Sequence, residues 1–420
     1  MQTHAGPGLS KLHRVLNAIS LIVISIFIFG VVASTFSEVA SAQSTREEEI
    51  KQQQAEKAKA LKVYTPNKAE RLLIRIQNLS FFGGQPRGFY PMVGSAFPGG
   101  GAAFGGGYRT LIGDDGYWDI HGLYSISNYR MGDTTFKLPD FANGAMKTHV
   151  NAHYAHADKV RFYGIGNNTQ PEDLTRFTYK PLTISVTERV ELSDWFAVGG
   201  GVDFMKLEDD AGEGPNDPSI EERFNPITAP GLFQDLEYIK PRAFAEIDWR
   251  QAPGYTTSGG FYRADWSRYS ERDELPFDFD RLDIEVDQFV PILRANWVLA
   301  FRGMVSTTNV DDGNEIPYYL LPRLGGGKYL RGFPDYRFMD RHSLLLTAEY
   351  RWTPSKFLDM AIFYETGKVA SRRSDLDLED LHDCWGIGAR FHGPVNTPLR
   401  IEFARSVEGN RIIFSAGPSF

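Results

Sequence analysis

The chain has 420 residues, of which 42% are hydrophobic and 13% aromatic, with a net charge of −8. That length points to two domains or one large β architecture, and the acidic balance excludes nucleic acid as a natural partner. A single cysteine, Cys384, can form no intramolecular disulfide.

The first 42 residues read as a cleaved signal peptide. Lys11, His13 and Arg14 precede an apolar run from Leu16 to Val32, and Ala40-Ser41-Ala42 supplies a small-residue cleavage site before Gln43. The alternative is an uncleaved anchor helix, because the run approaches spanning length. No later segment is long and apolar enough to cross a membrane as a helix, which excludes a multi-span helical protein.

Residues 43–85 read as a short helical segment and connector. Residues 46–61 hold strong helix formers with a Glu47/Lys51 pair, Pro66-Asn67 should stop the helix, and RLLIRIQNL follows at 71–79. A periplasmic position and a plug inside a barrel both remain open for this segment.

From residue 86 to 420 the pattern is β throughout. Period-two alternation predicts sixteen strands: 87–96, 100–112, 117–129, 133–140, 145–157, 176–192, 195–208, 235–250, 258–270, 277–290, 296–307, 342–352, 358–369, 383–392, 399–407 and 411–420. Short turns such as 113–116, 142–144 and 193–194 alternate with long connections at 158–175, 209–234, 308–341 and 370–382. Leu344, Leu346, Ala348, Tyr350 and Trp352 share one face, opposite Ser343, Thr347, Glu349 and Arg351. A soluble sandwich shows the same period. Aromatics near strand ends (Trp118, Trp195, Trp297, Trp352) favour a membrane barrel instead, as does a chain ending on Phe420 with Ile412 and Phe414 on the same parity. The expected fold is all-β, a 16-stranded antiparallel transmembrane β-barrel.

The segment LGGGKYLRGF at 324–333 lies in the longest late connection, before LLLTAEYRW (344–352) and AIFYETG (361–367). With FYGIGN at 162–167, WGIGARF at 385–391 and PLRIEFA at 398–404, it resembles the BamA/TamA superfamily of bacterial surface antigens. That resemblance implies that the loop before the twelfth strand folds into the lumen. Leu330, Arg331, Gly332 and Phe333 would form its tip, with Glu349 and Glu365 as the acids that receive Arg331. An arginine fork can bond two carboxylates, which lysine cannot reproduce, and Gly332 would allow a tight turn. The resemblance further implies an outer-membrane location and a role in assembling or translocating other proteins. Residues 43–85 are too short for one of the superfamily's periplasmic POTRA modules, which leaves a passive or plugged pore, or a structural outer-membrane protein, as the alternative.

The resemblance makes Ile412, Phe414 and Phe420 a sorting signal. Pro91 and Pro418 each remove a ladder donor from the first and last strands and suggest a weak seam between them. Partners expected are outer-membrane lipids, together with client proteins or a separate periplasmic module. No enzyme motif, cofactor or metal is expected. His149, His153 and His156 cannot converge from one strand, LGGGKYL has Pro322 where a phosphate loop needs glycine, and no G-x-S-x-G elbow occurs. The acidic stretches 208–217 and 375–383 read as solvated, self-repelling loops.

Overall fold

The structure, a computed structural model, describes residues 86–420 except 213, 215–216, 293–295, 356–357, 392–398, 416 and 418. The signal segment, the helix and connector of 43–85, and Pro418 therefore lie outside the described residues.

Sixteen strands form one antiparallel sheet that curls into a nearly closed barrel. They begin with β1 (Gly88–Gly94), β2 (Ala103–Ile112), β3 (Gly116–Ser125), β4 (Arg130–Lys137), β5 (Met146–Phe162) and β6 (Thr175–Ser193). Next come β7 (Phe196–Ala211), β8 (Leu236–Asp248), β9 (Gly259–Glu271), β10 (Phe279–Pro291) and β11 (Trp297–Val310). A two-stranded ribbon, β12 (Arg323–Leu324) with β13 (Phe338–Met339), sits inside the connection that follows. The wall resumes with β14 (His342–Ser355), β15 (Leu358–Ala370), β16 (His382–Phe391), β17 (Leu399–Ser406) and β18 (Gly409–Ser415). Each strand pairs with its neighbour in sequence, and β11 pairs with β14 across the long connection. All sixteen expected strands are present, and β14 is the twelfth strand of the wall.

The alternation sorts the two faces. On β14, Leu345, Thr347, Glu349 and Arg351 are buried inward, while Leu346, Ala348 and the partly covered Leu344, Tyr350 and Trp352 face out. Val186, Val202, Ile284, Val286, Phe301, Ile362, Ile387 and Phe403 continue the apolar outer surface on other strands. Trp195 and Trp297 are among the exposed residues at the rim that carries the short turns, and Trp118 and Trp352 sit at strand ends on the same rim. An apolar band with an aromatic edge is what a strand wall needs in hydrocarbon.

The opposite rim is capped from inside. Tyr318, Tyr319 and Tyr336 of the 311–341 connection pack with Leu232 and Ala229 of the 212–235 connection and with Phe162, Phe177, Tyr179, Tyr238 and Phe279 on the wall. Aromatic stacking, as between Tyr269 and Phe279 at 4.3 Å, makes this a continuous apolar dome.

Three expectations need correction. The last strand stops at Ser415, not at residue 420. β5 and β6 run on into the expected 158–175 connection, to Phe162 and from Thr175. The acidic stretches are not simply solvated: Arg176 bonds Asp217, Lys180 bonds Asp210, which lies in β7, and Lys368 bonds Asp377, because neighbouring strands present a base to each of these three acids.

The two ends of the sheet differ from the rest. Among the described residues β1 and β18 share no ladder, so each has a paired neighbour on one side alone. Pro91 sits in β1 opposite Gly106 of β2. Inside the barrel Tyr90 reaches over β2 to Asp119 of β3, donating at 2.7 Å. Gly107 leaves the gap it crosses: a Cβ there would sit 2.6 Å from the Tyr90 ring.

Candidate functional site

The 311–341 connection descends into the lumen and ends in a tip at residues 330–333. Glycines set its path. Gly325 and Gly326 have φ of +105° and +102°, and a Cβ on either would overlap Pro334 O or the Asp335 carboxylate. At the tip, the left-handed residue is Leu330, with φ of +67°. Gly332 has a different task from the turn expected of it. A Cβ there would overlap Cys384 of β16 and sit 3.0 Å from Ser406 Cβ of β17, so glycine lets the tip lie against the wall. Gly332 N–H donates to Cys384 Sγ at 3.1 Å, and Ser406 Oγ donates to Gly332 O at 2.9 Å. Leu330 and Phe333 are fully buried with Leu324, Phe338, Leu345 and Val369.

Between those apolar shoulders Arg331 is 1% exposed. Its Nε donates to Glu365 Oε1 at 2.9 Å and its Nη2 to Glu349 Oε1 at 2.8 Å. Its backbone N–H adds a bond to Glu365 Oε2 at 2.6 Å. The guanidinium carbon stands 3.5 Å from the centroid of the Phe363 ring, a cation–π contact. Burial works against the Arg331 charge, but Glu365, Glu349 and Glu402 outweigh it and raise its pKa above the ordinary arginine value.

Glu402 on β17 was not among the expected acids, and it accepts Arg331 Nη1 at 2.7 Å. It belongs to a wider network. Glu349 Oε2 accepts Arg351 Nε and Arg390 Nη2, each at 2.8 Å, and Arg400 Nε stands 3.1 Å from Glu402 Oε2. Four arginines thus share three glutamates, all inside the wall. Arg351, Arg390, Arg400 and Glu402 all occupy the buried parity of their strands. What sequence did not show is that the tip reaches β17 as well as β14 and β15.

FYGIGN also meets this loop. Gly166 N–H donates to Met339 O at 2.8 Å, and the Asn167 side chain accepts Val369 N–H at 3.1 Å. The histidines of β5 lie elsewhere: His153 Nδ1 is 3.3 Å from Asp133, and His156 Nδ1 is 3.1 Å from Arg130 Nη2.

Of the expected sorting residues, Ile412 and Phe414 point outward from β18 and are 66% and 70% exposed. Phe420 does not. Its ring lies in the lumen, 5.8 Å from that of Phe289, with its centroid 4.8 Å from the Arg351 guanidinium carbon. Ser419 Oγ donates to Glu349 Oε2 at 3.1 Å.

The sixteen-stranded barrel has counterparts among solved structures. BamA from Haemophilus ducreyi, lacking POTRA domains 1–3, superposes with a TM-score of 0.57 at 14% identity, over 80% of this chain and 70% of that one. The fold is that of a BamA barrel. CdiB from Escherichia coli gives a TM-score of 0.52 at 12% identity, over 78% of this chain and 62% of the other, so this chain spans less than two thirds of CdiB. No protein-family model and no curated protein sequence matches the chain.

Proposed function

We propose that this BamA-like barrel resides in a bacterial outer membrane and assists the assembly or translocation of other proteins, with no enzymatic step. The observation that carries this reading is where the wall is strong and where it is weak. The lumen holds a loop fixed by three glutamates and is capped by an apolar dome. The sheet lacks a ladder between β1 and β18 among the described residues. An unpaired edge is costly in hydrocarbon and is a template for another strand. A passive pore needs the reverse, an open lumen and a sealed wall. The apolar outer surface and aromatic rim support membrane residence, with lipid as the surrounding partner. Client proteins, or a periplasmic module on another chain, complete the partners proposed.

Reconstitution in liposomes tests it. The protein should speed the folding of a second, denatured barrel protein added outside, with little steady ion conductance. High conductance and no effect on folding would favour the pore.

A further inference from the structure

Two free sheet edges need something to hold them together if no ladder does. One short segment of the lumen loop touches the structure on both sides of the seam. On the β18 side, Asp335 Oδ2 lies 3.6 Å from Arg411 Nη2, and a Cβ on Gly327 would sit 3.2 Å from Ile413. Arg337, 2% exposed, donates from Nε to Glu408 Oε1 in the β17–β18 turn at 2.7 Å. On the β1 side, the Tyr336 ring stacks on Phe97 of the β1–β2 connection, with centroids 6.4 Å apart and planes within 13°. Gly99 of that connection faces Asp335, so that a Cβ there would meet the Asp335 Cβ at 3.7 Å. Arg337 is fixed from behind by Thr169, whose Oγ1 and carbonyl oxygen accept at 2.7 and 2.6 Å.

We propose that Asp335, Tyr336 and Arg337 form a clasp across the seam, bridging the β1–β2 connection to β18 and its turn, and that this clasp governs how readily the two edges part. This rests on the reading that the seam is where other chains are handled. The clasp is separate from the Arg331 anchor. It uses Glu408 and Arg411 rather than the three glutamates, so it can release while the tip stays docked. Tyr336 is held in a left-handed conformation, with φ of +63°, and Arg323 lies 4.0 Å from the centroid of its ring. The ring therefore reaches Phe97 because the loop is set, and a loop that shifts withdraws it.

Hydrogen exchange on the full chain in liposomes tests the clasp. Asp335→Asn cuts the pair with Arg411, and Glu408→Gln, in a surface turn, cuts the pair with Arg337. Glu408→Gln should raise amide exchange in β1 and β18 by about tenfold or more, the loss of one charge-assisted hydrogen bond; Asp335→Asn, which removes a looser ion pair at 3.6 Å, should raise it less, and both should leave β14 and β15 unchanged. Unchanged exchange at both edges, or an equal rise in all strands, would overturn the proposal. The folding rate of an added barrel protein is read in parallel. Faster edge exchange with an unaltered client rate upholds the clasp and removes the assembly reading instead.

Discussion

Arg331 Nη1 lies 2.7 Å from Glu402 Oε1, and Glu402 stands on β17, next to β18, the last strand of the sheet among the described residues. The loop tip is therefore tied to β14 and β15 through Glu349 and Glu365, and to the strand beside the seam through a third acid. A movement of β17 would therefore reach Arg331 through Glu402.

Replacing Arg331 with Ala leaves three buried carboxylates short of one cation. Breaking a buried ion pair costs about 3–5 kcal/mol, and the three arginines that remain offset part of that here. The expected result is a lower melting temperature, a protease-sensitive 311–341 connection and noisier conductance. Arg331→Lys should recover a part, because an ammonium cannot address three carboxylates in one plane. A variant matching wild type in all three measurements would show that the tip is not anchored there.

Glu402→Gln should act more strongly than Glu365→Gln. Glu402 meets Arg331, Arg390 and Arg400, whereas among the described residues Glu365 receives Arg331 alone of the arginines. Loss of Glu402 charge crowds those three cations, and Arg400 already has a buried Nη1 without a partner among the described residues. Thermal unfolding of the two variants side by side checks the order, and equal melting temperatures would refute it.

Strand identity and parity were readable because period-two alternation is a local signal with a face attached to it, whereas the loop's inward path came only from the resemblance that its tip carries. Glu349 and Glu365 were readable for the same reason, once the loop tip had been matched. Glu402 carried the same parity signal, yet nothing local says how far across the wall a loop tip extends. The role of Gly332 was misjudged for a related cause. Sequence suggested a backbone turn, while the constraint is contact with Cys384 and Ser406, 52 and 74 positions away. Phe420 was read from strand parity, and the strand ends before reaching it.

Gly332→Ala should displace the tip from β16, since its Cβ would overlap that of Cys384. Overpacking of this kind typically costs about 1–3 kcal/mol. Cys384 is fully buried, so its thiol is a direct reporter. Maleimide labelling in the folded state should be negligible in wild type and measurable in Gly332→Ala. Equal labelling would mean that the wall accommodates a methyl group at this contact.

Tyr90→Phe should loosen the first strand without touching the loop. The phenol donates to both Asp119 oxygens, at 2.9 and 2.7 Å, across the Gly107 gap. A hydrogen bond to a charged group contributes about 1.5–3 kcal/mol, and among the described residues β1 has no strand on its other side to compensate. Amide exchange should quicken in β1 and remain as in wild type in β17 and β18. Retained β1 protection would show that the ladder to β2 suffices.

The last prediction separates two roles for Phe420. Its parity with Ile412 and Phe414 suits an extended strand displayed to an assembly machine, whereas in the folded barrel its ring sits in the lumen against Phe289. The two uses would belong to different stages, one before the wall closes and one after. Phe420→Ala should therefore lower both the amount inserted into the membrane in cells and the melting temperature of what is inserted. Phe289→Ala removes the same ring contact without altering the terminus, so it should lower the melting temperature alone. Truncating a buried phenylalanine costs about 3–5 kcal/mol; Phe289 is 1% exposed and should approach that, while the half-buried Phe420 should fall below it. The inserted fraction is read from heat-dependent gel mobility of membrane extracts and the stability from thermal unfolding of purified protein. Normal insertion of Phe420→Ala would remove the sorting role and leave the lumen contact as the function of the residue.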